Sequence, residues 1–403
     1  MFRINNLKAP LNSSITDIKR QVAESIKLNP DNIYDFTIAK KSIDARNKNN
    51  VHFVYSVDFN AENVIINKNI EKLPNVEPLN FSIKKTSIRP IVIGSGPAGM
   101  FAGLALAEAG LNPIIIERGA QLEERQHDVD KFWKTGILNK ESNVQFGEGG
   151  AGTFSDGKLT TGIKKNKFTA KVLYELYNAG APAEILYLAK PHIGTDNLRI
   201  VVKNIRQKIQ KLGGEYRFNS TLIGLVIKNE QLKAVKIKHQ NQVYEMPADR
   251  LFLAIGHSAR DTFEMLYKSG VYMQQKPFAV GARIEHNQKM INKAQYGKYA
   301  DSPYLGAADY KMAIHLPNNR SVYTFCMCPG GEVVPAASEP GRVCVNGASP
   351  SSRNYVNSNA ALLAAVTLPA VILIHGQLEE VVGIEFILIV RPLVTVVAHK
   401  TST

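Results

Sequence analysis

Residues 91–99, which read IVIGSGPAG, constrain this chain more than any other stretch. The β-branched start predicts a buried strand, and the glycines follow it at once in the spacing GxGxxG. Gly94 allows a tight turn, Gly96 lets a backbone approach a pyrophosphate, and Gly99 lets the next helix pack close to the strand. The segment predicts a phosphate-binding turn at a helix N-terminus.

The residues after this turn complete a dinucleotide-binding pattern. Residues 100–110 are small and apolar, as a helix packed on a sheet requires, and Gly110 ends them. Residues 114–116 predict a second buried strand, and Glu117 follows it about 20 residues after the glycines, where a carboxylate accepts ribose hydroxyls. An acid in this place also disfavours a 2′-phosphate. The predicted cofactor-binding residues here are Gly94, Ser95, Gly96, Pro97, Ala98, Gly99, Glu117 and Arg118.

The composition is that of a globular enzyme with more than one domain. The 403 residues are 44% hydrophobic and 21% charged. The three cysteines are too few for a disulfide framework and favour a reducing compartment. Residues 1–20 contain no apolar signal segment. We therefore expect a cytoplasmic protein that does not enter a membrane.

The formal net charge of +14 leaves more than one kind of partner open. Residues 164–167 and the helix face of Arg199, Lys203 and Arg206 are the best candidates for a basic patch. Aromatic residues do not alternate with these bases, as they do on surfaces that bind single-stranded nucleic acid. A solvated basic face is the favoured interpretation, and an RNA partner is the alternative.

The remaining patterns divide the chain into segments. Residues 1–72 predict a small α+β module and residues 73–90, which contain several prolines, a linker. Residues 91–275 predict the Rossmann-type domain, with an amphipathic helix followed by a three-stranded β-meander. The strands of the meander are expected around residues 216–226, 234–238 and 242–244. Residues 276–345 predict a mixed α+β substrate domain, and residues 346–403 a return segment and a divergent tail. The predicted fold class is α/β, with a parallel sheet in the Rossmann-type domain.

A second glycine-rich run lies at residues 146–158. It contains a formal GxGxxG at Gly147, Gly149 and Gly152, but no β-branched strand precedes it and no helix pattern follows. We therefore exclude it as a second nucleotide-binding turn. We expect a flexible backbone that lies against a flat polar ring system or its phosphates.

Five blocks of the sequence together resemble one known family. They lie at residues 94–99, 146–159, 190–196, 254–261 and 323–331. The chain is similar, from residue 1 to about residue 365, to the FAD-dependent dehydrogenases or oxidoreductases of unassigned substrate found in bacteria and plastids. The resemblance implies FAD as the cofactor.

The same resemblance implies roles for individual residues. The first block would hold the FAD pyrophosphate and Glu117 the adenosine ribose. Leu222 would contact the adenine through its backbone. The loop that contains Gly149, Gly150 and Thr153 would lie on the flavin side.

Residues 251–256 predict another buried strand, which returns the chain to the cofactor. Ala254 and Gly256 would pack there under the pyrophosphate. His257 follows directly and is the first candidate acid or base, because imidazole titrates near neutral pH; a histidine that caps the strand end is the alternative. Arg260 and Arg283 are the other predicted catalytic residues, as groups that hold an anionic substrate or the flavin phosphates.

Cys326 and Cys328 stand in the sequence CMCPGG. A zinc ion would need further ligands that the sequence supplies poorly, so no metal site is predicted. The spacing also differs from the CxxC of dithiol reductases. Small buried residues near the flavin are the favoured interpretation, and a redox thiol is the alternative.

The resemblance ends near residue 366. Family members are longer and carry another glycine-rich segment that faces the flavin, whereas residues 371–374 and 386–390 are apolar and match no family motif. The predicted function is an FAD-dependent oxidoreductase that transfers a hydride to or from an unknown small molecule. NAD(P)H would act only as a transient reductant. A flavin-dependent RNA-modifying enzyme and a shortened, non-catalytic relative are the alternatives, and the oligomeric state is open.

Overall fold

The computed structural model describes residues 1–75, 79, 86–160, 166–274, 277–318 and 320–366. The predicted divergent tail, part of the predicted linker and the bases at 164–165 lie outside these residues. In the described part of the chain, no helix is both long and apolar enough to cross a membrane.

The N-terminal residues form an antiparallel sheet with one helix packed on it. The elements are β1 (Phe2–Ala9), α1 (Ile15–Ile26), β2 (Tyr34–Asp44), β3 (His52–Asn60) and β4 (Ile70–Lys72), and the strand order is β2-β3-β1-β4. Helix α1 begins at Ser14, whose side chain accepts a hydrogen bond from the Asp17 backbone while the Asp17 carboxylate accepts one from Ser14. The helix covers the sheet with Ile18 and Val22, which are fully buried.

The next part of the chain contains a parallel sheet and an antiparallel meander. In chain order its elements are β5 (Ile91–Ile93), α2 (Pro97–Glu108), β6 (Ile114–Ile116), α3 (Leu122–Thr135), α4 (Lys167–Asn178), α5 (Thr195–Lys211), β7 (Glu215–Arg217), β8 (Ser220–Lys228), β9 (Gln231–His239), β10 (Gln242–Pro247), β11 (Leu251–Leu253) and α6 (Arg260–Lys268). The parallel sheet has the order β11-β5-β6-β7, and the meander has the order β10-β9-β8. The predicted fold class is confirmed.

The parallel sheet is apolar on both faces because it lies between two layers. Val92 and Ile115 pack against helices α2 and α5, whereas Ile91, Ile93 and Ile116 pack against the meander. Both faces of these short strands are therefore removed from water, which explains why their sequences are continuously apolar.

One predicted strand is wrong in its extent. Residues 216–226 were expected to form a single strand of the meander, but the structure divides them between β7 and β8. Asn219 lies between these strands with φ +53°, a left-handed conformation that turns the chain out of the parallel sheet. Asparagine adopts this conformation more readily than most residues, because its short side chain bonds locally.

The last described part of the chain forms a second antiparallel sheet. Its elements are β12 (Phe278–Asn287), α7 (Gln288–Tyr296), β13 (Ala313–His315), β14 (Ser321–Cys328), β15 (Glu332–Pro335), β16 (Val345–Ala348) and β17 (Asn357–Val366). The strand order is β12-β17-β14-β13, and β15 pairs with β16 separately. Strand β17, from the predicted return segment, is thus an inner strand of the sheet that begins in the predicted substrate domain. The predicted domain boundaries themselves stay predictions.

The glycine-rich run is held by hydrogen bonds from the buried side chain of Arg125. Arg125 is 0% exposed and donates hydrogen bonds to the backbone carbonyls of Asn143, Val144, Glu148 and Gly150. A Cβ atom on Gly147 would lie 2.3 Å from Cδ of Arg125, so the guanidinium stem passes where a side chain would stand. Burial lowers the pKa of Arg125 to about 10, which leaves it charged at neutral pH. These four hydrogen bonds hold the run where the structure places it.

We expect Arg125→Met to lower the free energy of unfolding by about 3–5 kcal/mol. Methionine fills part of the space but leaves the buried carbonyls without a donor. Urea unfolding followed by circular dichroism measures the change. Arg20→Met, at a side chain that is 60% exposed, is the matched control and should shift stability by no more than about 0.5 kcal/mol. Equal stability of the two variants would contradict the role given to Arg125.

Candidate cofactor site

The glycines of the first fingerprint are required for different reasons. Gly94 has φ +94°, and a Cβ atom there would lie 2.3 Å from the carbonyl oxygen of Ala254. A Cβ atom on Gly99 would lie 1.8 Å from the carbonyl oxygen of Gly94. A Cβ atom on Gly96 would meet only Cα of Gly150, at an ordinary 3.7 Å, and its φ of −67° suits any residue. Protein packing thus explains the first and third glycines, while the second keeps open the space that a pyrophosphate needs.

The first turn of helix α2 is available to an anion. Gly96 is the N-cap and Pro97 the first helical residue, and no side chain of the described residues caps this end. Pro97 and Ala98 are exposed. The first backbone N–H groups of a helix have no partner within it, and the helix dipole adds positive potential there. The site therefore fits the pyrophosphate of FAD, with Gly96 and the first turn of α2 as the residues that would hold it.

Glu117 is occupied by protein hydrogen bonds in this structure. One carboxylate oxygen accepts from the backbone N–H and the hydroxyl of Ser95, at 2.7 and 3.0 Å. The other accepts from the N–H groups of Gly119 and Gly147, both at 2.9 Å. These contacts use the roughly four acceptor directions of a carboxylate. The predicted contact of Glu117 with a ribose stays a prediction, and it would require one of these bonds to be shared or exchanged.

The second glycine-rich run packs directly on the first fingerprint. The N–H of Gly149 donates to the carbonyl of Ser95 at 3.0 Å. A Cβ atom on Gly150 would lie 2.8 Å from Cα of Gly96. Thr153 is buried and donates its hydroxyl to the carbonyl of Glu148 at 3.0 Å. The run therefore lines one side of the space in front of Gly96.

The returning strand and the meander meet the same region. The N–H of Ala254 donates to the carbonyl of Ile93 at 2.8 Å, so Ala254 lies under the phosphate-binding turn. Gly256 has φ +71°, with open space around the position of a Cβ atom. Leu222 is buried in β8, beside an irregularity in its pairing with β9. The contacts of these residues with a cofactor stay predictions.

Arg118 is engaged by two carboxylates and an aromatic ring. It donates to both carboxylate oxygens of Asp261, at 2.9 and 2.7 Å, and to Glu141 at 3.0 Å. Its guanidinium lies 4.4 Å from the ring centroid of Phe146. Burial alone would lower the pKa of Arg118, but the two carboxylates outweigh it and raise the pKa. Arg118 therefore joins the end of β6 to helix α6.

The predicted catalytic residues do not form one group. Nδ1 of His257 lies 2.7 Å from the Ser258 hydroxyl, and burial together with nearby Arg260 lowers the pKa of the imidazole. Arg260 pairs with Glu339 at the protein surface. Arg283 lies elsewhere, in the second antiparallel sheet. Among the described residues, no hydrogen bond or ion pair joins Arg283 to His257 or Arg260.

A buried ionic cluster adjoins the end of the glycine-rich run. Asp156 is 1% exposed and accepts hydrogen bonds from Arg353 at 3.1 and 2.6 Å. Nζ of Lys158 lies 3.3 Å from the same carboxylate and 3.5 Å from Sγ of Cys328. Burial alone would raise the pKa of Asp156, but Lys158 and Arg353 outweigh it and hold the pKa below its usual value.

Sequence reasoning did not assign roles to Asp156 and Arg353. Their position in or near segments that resemble the family is the one feature of the sequence that could have indicated a role. The structure buries most of the Lys158 side chain, which is 25% exposed.

The predicted basic face on α5 is largely paired with acidic groups. Lys203 lies 2.8 Å from Glu123, and Arg206 lies 2.9 Å from a carboxylate oxygen of Glu148. The guanidinium of Arg199 stands 5.5 Å from the ring centroid of Phe154. These bases stabilise the surroundings of the glycine-rich run.

We expect Gly96→Ala to weaken FAD binding by about 10- to 100-fold without unfolding the protein, because the methyl group clashes with the ligand and not with the chain. Titration of FAD-free protein with FAD, followed by protein fluorescence, measures the affinity. Gly306→Ala, where a Cβ atom would meet nothing within 4 Å, is the control and should bind FAD normally. Unchanged affinity of Gly96→Ala would contradict this assignment of the site.

We expect Asp156→Asn to cost about 3–5 kcal/mol of stability at neutral pH, because it leaves two buried cations without their carboxylate. Since the folded-state pKa of Asp156 lies below the ordinary value of 3.8, its contribution is complete above that value and is lost as the pH falls through the folded-state pKa. The difference between wild type and variant in urea unfolding should therefore shrink at strongly acidic pH. A difference that stays constant down to acidic pH would contradict this account.

Family models match three parts of the sequence. The one described as FAD binding domain matches residues 89–126, which contain the phosphate-binding turn and Glu117. The one described as FAD-dependent protein, C-terminal domain-like, matches residues 277–387. A domain of unknown function matches residues 1–60.

Solved structures of flavoproteins and related folds resemble the chain only loosely. They include the Thermovibrio ammonificans protein THI4, with 16% identity, a TM-score of 0.32, and coverage of 46% of this chain and 64% of that chain. They also include a 3-ketosteroid-delta4-(5alpha)-dehydrogenase from Rhodococcus jostii, with 13% identity, a TM-score of 0.33, and coverage of 62% of this chain and 69% of that chain. Likeness at this level says nothing about activity.

One relative matches most of the chain. An uncharacterised protein of Clostridium beijerinckii is 45% identical over 375 residues, which cover 91% of this chain and 69% of that protein. Together with the two flavin-related family models, this places the chain in a family of FAD-dependent proteins, and FAD is its cofactor.

Proposed function

We propose that this protein is a cytoplasmic oxidoreductase that moves a hydride from a small-molecule donor to an acceptor by way of bound FAD. The observation that carries the proposal is the open space at Gly96, which packing does not require and which faces an uncapped helix N-terminus. When bound, FAD supplies the ability to accept and donate a hydride. The sequence contains three cysteines, too few for a disulfide framework, which supports a reducing compartment.

The residues around this site position and enclose the cofactor. The first turn of α2 would hold the pyrophosphate through its backbone N–H groups. The glycine-rich run, fixed by Arg125 and Glu117, would exclude water from one side.

His257 is the residue that we propose for proton transfer. Burial and Arg260 lower the pKa of its imidazole, so the ring is neutral at pH 7 and able to take up a proton. Ser258 lies within hydrogen-bond distance of Nδ1 and would orient the ring.

A nicotinamide cofactor would have no nucleotide-binding domain of its own within the described chain. The second GxGxxG is not a strand-turn-helix unit. Gly149 has φ +79°, and residues Gly150–Phe154 form a short 3-10 helix whose first carbonyl, that of Gly150, accepts a hydrogen bond from Arg125. NAD(P)H, where it serves as reductant, would therefore dock transiently against the flavin. An RNA partner forms no part of this proposal, because the best candidate basic face is largely paired with acids.

We expect the purified chain to show the visible absorbance of bound FAD, or to acquire it when FAD is added. Anaerobic mixing with NADH or NADPH should then bleach this absorbance, with an apparent affinity far weaker than that for FAD, because neither nucleotide has a dedicated domain. Protein that neither carries nor takes up FAD would falsify the proposal. If the loss of absorbance reached its maximum at NADH or NADPH concentrations close to the protein concentration, the nicotinamide would bind tightly. That result would contradict transient docking of NAD(P)H.

A further inference from the structure

Two cysteines of β14 lie in a cluster that the proposed function does not use. Sγ of Cys328 is 3.3 Å from the carbonyl oxygen of Cys326, and Cys328 is fully buried. Nζ of Lys158 reaches the same sulfur at 3.5 Å, and Arg283 donates to the Cys326 carbonyl at 3.2 Å. A cation on each side of a pair of thiols is more than packing requires.

The backbone of β14 is bent at these cysteines. The pairing of β14 with β17 shifts between Phe325 and Cys328, so one extra residue is inserted there. Cys326 has φ +45°, a left-handed conformation that costs a non-glycine residue about 1–3 kcal/mol. Bulges of this kind redirect side chains and occur often beside active sites. The bulge therefore lies at the two cysteines.

A glycine in a neighbouring strand makes room for the cluster. A Cβ atom on Gly347 of β16 would lie 2.7 Å from Sγ of Cys328 and 2.5 Å from a guanidinium nitrogen of Arg283. Any side chain at this position would displace both groups. The arrangement of thiols and cations is therefore built by β12, which carries Arg283, by β14 and β16, and by the segment that carries Lys158.

The charges around the pair favour one thiolate. The neighbouring Cys328 side chain lowers the pKa of Cys326, and Lys158 and Arg283 lower it further against burial and the charge of Asp156. The Cys326 side chain and burial raise the pKa of Cys328. The two directions favour a thiolate at Cys326 beside a thiol at Cys328.

The cluster lies at the end of the glycine-rich run. Asp156 and Lys158 lie at the C-terminal end of that run, and the run packs on Gly96 through Gly150. The phosphate-binding turn and the cysteines therefore lie against the same segment, which leads from the proposed pyrophosphate site towards β14.

We propose that Cys326 and Cys328 are a redox dithiol that exchanges electrons with the bound flavin. In the oxidative direction the Cys326 thiolate and the Cys328 thiol form a sulfur–sulfur bond and release one proton and two electrons. Both electrons and the proton pass to oxidised FAD, and the reverse step regenerates the thiols. This inference rests on FAD binding, and it gives the protein a second redox centre.

The first test counts electrons. Air-oxidised, FAD-loaded protein is titrated with dithionite without oxygen, and we expect uptake of four electrons per FAD. Cys326→Ser and Cys328→Ser should each take up only two, while Cys344→Ser, at a cysteine outside the cluster, should still take up four. Wild-type uptake of two electrons per FAD would overturn the proposal even when FAD is bound normally.

The second test does not depend on FAD. Reduced, FAD-free protein is alkylated with iodoacetamide across a pH series, and mass spectrometry follows each cysteine. Cys326 should react well below the ordinary cysteine pKa of about 8.5, and Lys158→Gln should move its profile to higher pH. A profile for Cys326 that matches that of Cys344, or that Lys158→Gln leaves unmoved, would overturn the thiolate assignment. Failure to bind FAD would instead overturn the proposed function.

Discussion

The carboxylate of Glu117 is the contact on which the site depends. It joins the end of β6 to the phosphate-binding turn through Ser95 and to the glycine-rich run through Gly147. Hydrogen bonds to a charged acceptor are roughly twice as strong as those between neutral groups. Arg125 acts on the other side of the same run by donating to its carbonyl groups. One buried anion that binds N–H groups and one buried cation that binds carbonyls thus fix the glycine-rich run.

The phosphate-binding turn could be predicted from the sequence because its requirements are local. Gly94 and Gly99 are glycines since a Cβ atom would strike a carbonyl oxygen within the same turn or the adjoining strand. The parallel sheet was predictable for a similar reason, because strands buried on both faces read as unbroken apolar runs. Its meander was placed correctly, except that the turn at Asn219 divides one expected strand.

The rest of the site depends on contacts between distant parts of the chain. Arg353 binds Asp156 across 197 positions, and Lys158 reaches Cys328 across 170. No periodicity or spacing records such pairs. Arg125 stands in a charged stretch of the sequence, and only the structure shows that its guanidinium is enclosed by carbonyl groups. His257 and Arg283 are both predicted catalytic residues, but no local pattern indicates that Arg283 lies in β12 of the second antiparallel sheet.

The strand order of the second antiparallel sheet has a consequence for synthesis. Strand β17 lies between β12 and β14, and Phe278 of β12 is paired with Val366. The ribosome must therefore complete Val366 before β12 and β14 can be joined. Sheets that close through distant segments form late, after N-terminal parts have folded. Until then Cys326 and Cys328 are exposed to cellular oxidants and thiols, so the reduced state of the nascent chain depends on its compartment.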